Sequence, residues 1–337
     1  MSDVVISIAA AEALIVDVLC RHDCKPENAA SVARALVAAE IDGQPGHGLS
    51  RLPYYAAQSA SGKVDGQADP AIAGRRHGSL RINAMDGFAY PACDLAISEL
   101  TALSVEYGVS AVSIFRSHHF GQAGFHAERL ARQGLVALVF SNSPHAIAPW
   151  GGSKGLFGTN PIAFAAPRQD QLPLLIDLSL GKAARGKVML ARQRGECIPE
   201  GWALDEHGRP TTDPEAALNG TMLPIGDAKG AVLVLMVEIL AAGLSGANFG
   251  YEASSFFTET GAPPGVGQMI MALDPQFFSG GLFSNRLEAL ISEILSQDGA
   301  RLPGSGREAR REKARTEGLF VPRLLLEQLL QLKLRSS

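Results

Sequence analysis

Cysteine is scarce in this chain. Four occur in 337 residues, at positions 20, 24, 93 and 197. Cys20 and Cys24 are four apart, which would set them on one helical face, but no second pair of ligands is patterned beside them. Reduced thiols in a cytoplasmic protein are expected, not a disulfide framework. Histidine spacings of the HxH and HExxH kind are missing, so no metal is expected. Uninterrupted apolar runs are missing as well. The N-terminal stretch is apolar but carries Asp3, Glu12 and Asp17 and no basic start, and the run 231–247 contains Glu238 and is short for a span. Neither a signal peptide nor a membrane span is expected. No charge sign dominates: 30 Lys and Arg stand against 34 Asp and Glu, a formal charge of −4. Nucleic acid is therefore not an expected partner. The dinucleotide fingerprint is absent too. GQAG (121–124) is only GxxG, no acidic ribose ligand follows about twenty residues on, and GGSKGLFG (151–158) lacks a GK[ST] loop. An ordinary Rossmann domain is excluded on these grounds.

What is present is ordinary globular composition, 46% apolar and 19% charged, in a chain long enough for two domains. Apolar positions at helical spacing predict helices over 8–24 and 26–42, joined by the short break HDCK, and a third over 49–61 after the glycine- and proline-rich stretch. Then the period changes. Strands are expected over 79–84, 109–115, 135–143, 161–167, 173–179 and 268–275. Helices are expected over 92–107, 126–134, 229–245, 283–297 and 323–334. Two helix–strand alternations predict a sheet covered by helices. The charged tail RLPGSGREARREKARTEG (301–318) reads as a solvated linker, with a strand returning toward a ligand as the rival.

The stretch GQPGHGLSRLP (43–53) frames His47 with Gly43, Gly46 and Gly48 and places Arg51 four residues on. In a helix beginning there the two would share a face. An arginine fork suits a carboxylate, and a histidine beside it can pass a proton near neutral pH. A helix-capping histidine with a surface arginine is the bland alternative. His118 and His119 follow a strand end, where α/β proteins bind ligands. His145 lies in a loop, while His22, His77, His126 and His207 read as surface. Asp177 ends the apolar strand LLIDLS, either as a turn cap or as an acid that orients an imidazole. Glu238 interrupts an apolar helix and reads as structural.

These stretches together resemble the malate/L-lactate dehydrogenase family of the second type, NAD(P)-dependent oxidoreductases with a non-Rossmann fold. The resemblance spans nearly the whole chain. It rests on DGQPGHGLSRLPYY (42–55), SHHFGQAG (117–124), GLVALVFSNS (134–143), GLFGTNPIAFAAP (155–167), IDLS (176–179), KG with the following LMVEILAAGLSG (229–246) and LPG (302–304). KVDGQADP (63–70), DGFAYPA (86–92), SHHF and LFGTNPIAFAAP look most like the branch that reduces Δ1-piperideine-2-carboxylate and Δ1-pyrroline-2-carboxylate.

The resemblance implies an α+β fold with a mixed sheet. A helical unit of residues 1–75, joined by about 300–337, would pack on an α/β cofactor domain of residues 76–299. It implies a homodimer, a small carboxylate substrate and NADPH, with NADH as the alternative cofactor. Carried over by position, His47 is the catalytic histidine, Asp177 its partner carboxylate, and Arg51 the substrate clamp beside Gly46. His119, Asn142, Thr159, Ser179, Lys229 and Arg307 fall in stretches that look like the cofactor site. Lys182, Arg185 and Lys187 cluster just past the Asp177 strand and suit the NADP phosphate, with a solvated helix start as the alternative. The expected reaction is hydride delivery to C2 of a cyclic imine, with His47 managing the proton and Asp177 setting its tautomer. Gly46 stands where the family has serine, Ala228 where it has histidine, and Ser305 and Gly306 where it has charged residues. The rival activity is a 2-hydroxyacid dehydrogenase of the malate or lactate kind. The rival class is a ligand-binding protein without turnover, supported only by Gly46 and Ala228.

Overall fold

The computed structural model describes residues 3–334, so the ends of the expected helical unit, 1–2 and 335–337, lie outside the described residues. The chain begins with strand β1 (Asp3–Ile6) and helices α1 (Ile8–Cys20) and α2 (Pro26–Ile41). Ser7 caps α1 by accepting the Ala10 amide, and Pro26 opens α2 where a missing N–H costs nothing. Two 3-10 turns, Pro45–His47 and Leu49–Arg51, lead into α3 (Leu52–Ala60). Next come β2 (Ala71–Arg76), β3 (Ser79–Asn83), α4 (Ala89–Tyr107), β4 (Val109–Ser117), α5 (Ala123–Ala131) and β5 (Val136–Ser141). Strands β6 (Ile162–Ala166) and β7 (Leu174–Leu178) are followed by α6 (Arg185–Arg194), β8 (Ala203–Leu204), β9 (Pro210–Thr211), α7 (Pro214–Asn219) and β10 (Thr221–Met222). Helix α8 (Asp227–Glu238) passes into a π-helical turn, Ile239–Gly243. The chain then runs through β11 (Val266–Leu273), α9 (Pro275–Ser279), α10 (Phe283–Leu295), α11 (Arg307–Glu317), β12 (Leu319–Pro322) and α12 (Arg323–Leu334).

The main sheet has the order β2-β3-β4-β11-β5-β6-β7. Only β3 and β4 pair in parallel; every other neighbouring pair is antiparallel. The strict alternation of its strands explains how both faces are covered. Ala137 and Val139, with Ile270 and Ala272, pack under α4 and α5. Leu138 and Phe140, with Met269 and Met271, pack on the other side against Val234, Val237 and Ala241 of α8 and its π turn. Small strands β10-β8-β9 form a separate sheet beside that second layer.

A second apolar core gathers Ile15, Leu19, Leu36, Leu52 and Tyr55 of α1–α3 with Leu319, Val321 and Leu329 from the far end of the chain. β1 and β12 pair antiparallel and tie the two termini together. The tail therefore departs from the sequence expectation. Residues 307–317 form a helix, neither linker nor strand. Arg311 holds it in place, donating two hydrogen bonds to Asp42 at 2.7 and 2.8 Å and two to Glu128 at 2.6 and 2.7 Å. Its partners lie 269 and 183 residues away, so apolar spacing does not announce the helix.

Candidate active site

Strand registers set Ser117 opposite Val266, Ser141 opposite Gln268, Phe140 opposite Ile162 and Ile162 opposite Leu178. The ends of β4, β5 and β7 and the starts of β6 and β11 thus share one edge of the sheet. The loops that leave this edge carry His118, His119, Asn142, Thr159, Asn160 and Ser179, and α3 with its 3-10 turns lies against them.

The turn bearing His47 is a product of its glycines. A Cβ on Gly48 would meet the Glu40 carboxylate at 2.5 Å, so only glycine lets that carboxylate reach the Leu49 amide, at 2.7 Å. The expected continuous helix is instead two 3-10 turns, and Arg51 reaches His47's neighbourhood by another route. Its Nε donates to the Gly46 carbonyl at 2.7 Å, and its guanidinium lies 4.6 Å from the centre of the Phe257 ring. Its Nη1 is buried and has no protein partner. A charged donor left this way is ready for an oxyanion. Gly46 is exposed, and a Cβ there would meet nothing within 4 Å.

His47 Nδ1 lies 3.2 Å from His119 Nε2, with the rings nearly parallel at 8°. His119 Nδ1 lies 2.5 Å from the Tyr55 hydroxyl, which lies 3.0 Å from the Tyr90 hydroxyl. This chain of four groups is consistent in either sense. When His47 Nδ1 donates, His119 Nδ1 donates to Tyr55, and His47 Nε2 is a bare acceptor. When Tyr55 donates, His119 Nε2 donates to His47, and His47 Nε2 carries the proton. One arrangement suits taking a proton from an alcohol, the other giving one to a carbonyl or imine.

Burial, then the Arg51 charge, lowers the His47 pKa to about 4. Burial, Arg51 and Lys63 lower that of His118 to about 3, and His119 is pushed well below its ordinary value by burial, Arg51 and the neighbouring rings. All three rings are neutral at pH 7. The charged side chains acting on them are cations, Arg51 and Lys63.

Asp177 is elsewhere engaged. Its Oδ2 accepts the Gly124 amide at 2.8 Å, and Gln44 also donates to its carboxylate. A Cβ on Gly124 would strike that oxygen at 2.8 Å. Burial raises the Asp177 pKa. No described hydrogen bond joins it to His47; the position expected for the carboxylate is held by His119. His119, expected beside the cofactor, has both ring nitrogens engaged by His47 and Tyr55.

On the other side of the edge, Glu238 is 2% exposed. It accepts Asn142 Nδ2 at 3.1 Å, Gly250 N at 2.7 Å and Asn160 Nδ2 at 2.7 Å. Asn142 also donates to the Asn248 carbonyl and accepts the Gly267 amide. Both its N–H groups are thus engaged within the protein. Arg307 is likewise turned inward, 6% exposed, donating to the Pro173 carbonyl at 3.0 Å and lying 4.0 Å from Glu128.

Lys182 and Lys229 are exposed, while Thr159 and Ser179 are half-buried and the Ser179 hydroxyl donates to the Thr159 carbonyl and accepts the Gly181 amide. Leu180 N bonds the Thr159 carbonyl, Lys182 N bonds Leu223 O and Ile225 N bonds Leu180 O, so the loops at 159, 180 and 225 are laced side by side. Lys229 is exposed, and Lys182 Nζ meets Asp227 at 3.3 Å with both side chains exposed. Arg185 donates to the Leu218 carbonyl at 2.9 Å. Hydroxyls and exposed ammonium groups on adjacent loops are a donor set that fits the phosphates and amide of a nicotinamide dinucleotide.

The family model for malate/L-lactate dehydrogenase matches residues 6–330. The chain belongs to the malate/L-lactate dehydrogenase family. It is an oxidoreductase of that family. It is 53% identical over 326 residues to a (2R)-3-sulfolactate dehydrogenase (NADP(+)) of Chromohalobacter salexigens, covering 96% of each chain. It is 38% identical to a Δ1-pyrroline-2-carboxylate/Δ1-piperideine-2-carboxylate reductase of Pseudomonas putida, covering 95% of this chain and 94% of that one. Among solved structures it is similar to Δ1-piperideine-2-carboxylate reductase from Pseudomonas syringae pathovar tomato, with a TM-score of 0.92 at 37% identity over 98% of this chain and 99% of that one.

Several residues of this malate/L-lactate dehydrogenase family site carry no signal in local spacing. Tyr55 sits within a motif read for its histidine and arginine, and its role depends on meeting His119, 64 residues away. Phe256 packs on His118 and His119, and Phe257 under Arg51. Two adjacent aromatics in a polar loop, in a chain only 6% aromatic, were the one available hint.

Proposed function

We propose that this enzyme interconverts a short 2-hydroxy acid and its 2-oxo acid with NADP(H), and that the preferred acid carries a second anionic group at C3, as 3-sulfolactate does. The observation that carries this reading is the sign of charge around the reacting centre. Arg51 and Lys63 are the charges that act on His47, His118 and His119. Carbonyl reduction develops an oxyanion, whereas imine reduction passes through an iminium cation. A unit charge about 5 Å away changes either by roughly 3 kcal/mol at an effective dielectric near 20. That difference favours the oxo acid and a dianionic substrate. The 53% identity to a sulfolactate dehydrogenase supports the same choice.

Arg51 Nη1 would take the C1 carboxylate, and His47 Nε2 would take the hydroxyl proton in oxidation or return it in reduction. His119, Tyr55 and Tyr90 hold the tautomer that each direction requires. Thr159, Ser179, Lys182 and Lys229 would hold the cofactor, which supplies or accepts the hydride at C2 when bound. The cyclic-imine reading expected from the sequence stands second, favoured by the Pseudomonas relatives.

We also read the chain as two units, residues 1–75 with about 300–337, and 76–299. A homodimer would cover the outer face of α8 and its π turn, where Val232 is 62% and Ile239 54% exposed beside Leu235 and Met236. All four cysteines are free thiols, which suits the reducing cytoplasm.

An absorbance assay at 340 nm tests the substrate. 3-Sulfopyruvate, oxaloacetate, pyruvate, Δ1-pyrroline-2-carboxylate and Δ1-piperideine-2-carboxylate are each offered with NADPH and NADH. Sulfopyruvate with NADPH should lead in kcat/KM by about tenfold or more. Turnover of the cyclic imines alone would establish the second reading.

A further inference from the structure

KVDGQADP (63–70) opens on a residue whose charge reaches the site but whose hydrogen bonds all go to another segment. Lys63 is 3% exposed. Its ammonium donates to Ser255 O at 2.8 Å, Thr258 O at 2.9 Å and Thr258 Oγ1 at 3.2 Å. Those three bonds use all three of its donors, and no described carboxylate lies within ion-pair distance. The exposed Glu259 is the one charge that acts on it. A buried ammonium without a counter-ion is costly, so a compensating gain should lie in what it holds.

It holds segment 255–259, and it does not act alone. Gln58 Nε2 donates to Thr258 O at 2.9 Å and Ser61 Oγ to Glu259 O at 2.8 Å. The end of α3 and the turn after it therefore grip this segment through three side chains, Gln58, Ser61 and Lys63. Between the gripped carbonyls sit Phe256 and Phe257. Phe256 packs on His118 and His119 with ring centres 5.1 and 5.3 Å away. Phe257 stacks on the Arg51 guanidinium at 4.6 Å and meets Tyr54 edge-on at 5.4 Å. Among the described residues Arg51 is held by the Gly46 carbonyl at one edge and the Phe257 face, which leave Nη1 without a partner.

We infer that Lys63 and Phe257 are positioning residues for substrate recognition: Lys63 latches the 255–259 segment onto α3, and Phe257 thereby orients the Arg51 fork toward the substrate carboxylate. The inference rests on the reading of Arg51 as the carboxylate clamp. It predicts effects on KM, because the carboxylate is held before and during hydride transfer alike.

The test uses full-length Lys63→Met, Phe257→Leu and Phe257→Tyr enzymes. Substrate kinetics with NADPH use whichever compound of the assay above the parent enzyme turns over best. Lys63→Met and Phe257→Leu should raise KM about tenfold and leave kcat within about threefold, and Phe257→Tyr should restore KM, since its ring keeps the cation–π face. The dissociation constant for NADPH, read by its fluorescence, should not move. Unchanged KM in Phe257→Leu, or NADPH affinity falling in step with KM, overturns the inference.

A second arm needs no substrate. Endoproteinase Glu-C should cut after the exposed Glu259 about tenfold faster in Lys63→Met than in the parent, because the released segment is open more often. Equal cleavage rates overturn the latch. Should Lys63→Met fail to fold, Thr258→Val, which removes only the Oγ1 acceptor, takes its place in both arms, and the same two null results overturn the inference. If no compound in the panel is turned over, the functional reading fails while the protease arm still decides the latch.

Discussion

The two sides of the site treat buried polar groups in opposite ways. Around Glu238 they are nearly all satisfied: the carboxylate takes Asn142, Asn160 and Gly250, Asn142 is engaged at both ends of its amide, and of these groups Asn160 Oδ1 alone lacks a described partner. Around Arg51 they are not. Arg51 Nη1 has no partner, and neither does either nitrogen of His118. A saturated network is a scaffold, since its members have no hydrogen-bonding capacity left for a ligand. An unsaturated one keeps hydrogen-bonding capacity that a ligand can use.

That contrast can be broken experimentally, and the largest effect should come from the saturated side. Glu238→Ala strands three donors at once and should cost roughly 4 kcal/mol of folding stability, read as a fall in the urea midpoint. A loss below about 1 kcal/mol would mean that water replaces the carboxylate. On the unsaturated side function should suffer while folding does not. His47→Ala should cut kcat about 100-fold or more, the scale of lost proton transfer, with NADPH affinity retained; near-normal turnover would remove His47 from the chemistry. Arg51→Met should raise KM for the carboxylate substrate about 30-fold, the loss of one charged hydrogen-bonding pair. Its melting temperature should hold or rise, because the guanidinium is buried without a counter-charge. A lower melting temperature with unchanged KM would turn Arg51 into a structural residue.

How much of this was legible in the sequence follows the same divide between local and distant partners. The strands could be read because alternation is local: Ala137 and Val139 face one layer, Leu138 and Phe140 the other. His47 and Arg51 could be singled out because glycines crowd around them. The partner of His47 could not, since His119 lies 72 residues away and competes with Asp177 on equal terms in any reading of residue types. The α11 helix was missed for a related reason. Its residues are mostly charged, and the arginine that docks it finds its carboxylates on α2 and α5. Charged helices that bury ion pairs leave no apolar stripe for periodicity to detect.

The smallest effect should appear at His118, and it separates strain from function. Tyr55, Phe88 and Phe256 wall in its ring, and Arg51 and Lys63 are the charges acting on it. Its folded pKa of about 3 lies below the unfolded value near 6.5. As the pH falls the unfolded chain therefore takes up this proton first. The stability linked to the neutral ring is complete above about pH 6.5 and drains away as the pH drops toward 3. His47 and His126, both lowered to about 4, act in the same direction. His118→Phe removes one of these titrations together with two unpartnered nitrogens. The acid-side loss of stability should then become shallower by at most about 1.4 kcal/mol per pH unit. At pH 7 stability should hold or rise, and kcat should stay within about threefold. Parallel stability curves for the two proteins between pH 7 and 5 would mean that the ring is hydrated inside the folded protein. A drop in kcat beyond tenfold would move His118 from the wall of the site into its chemistry.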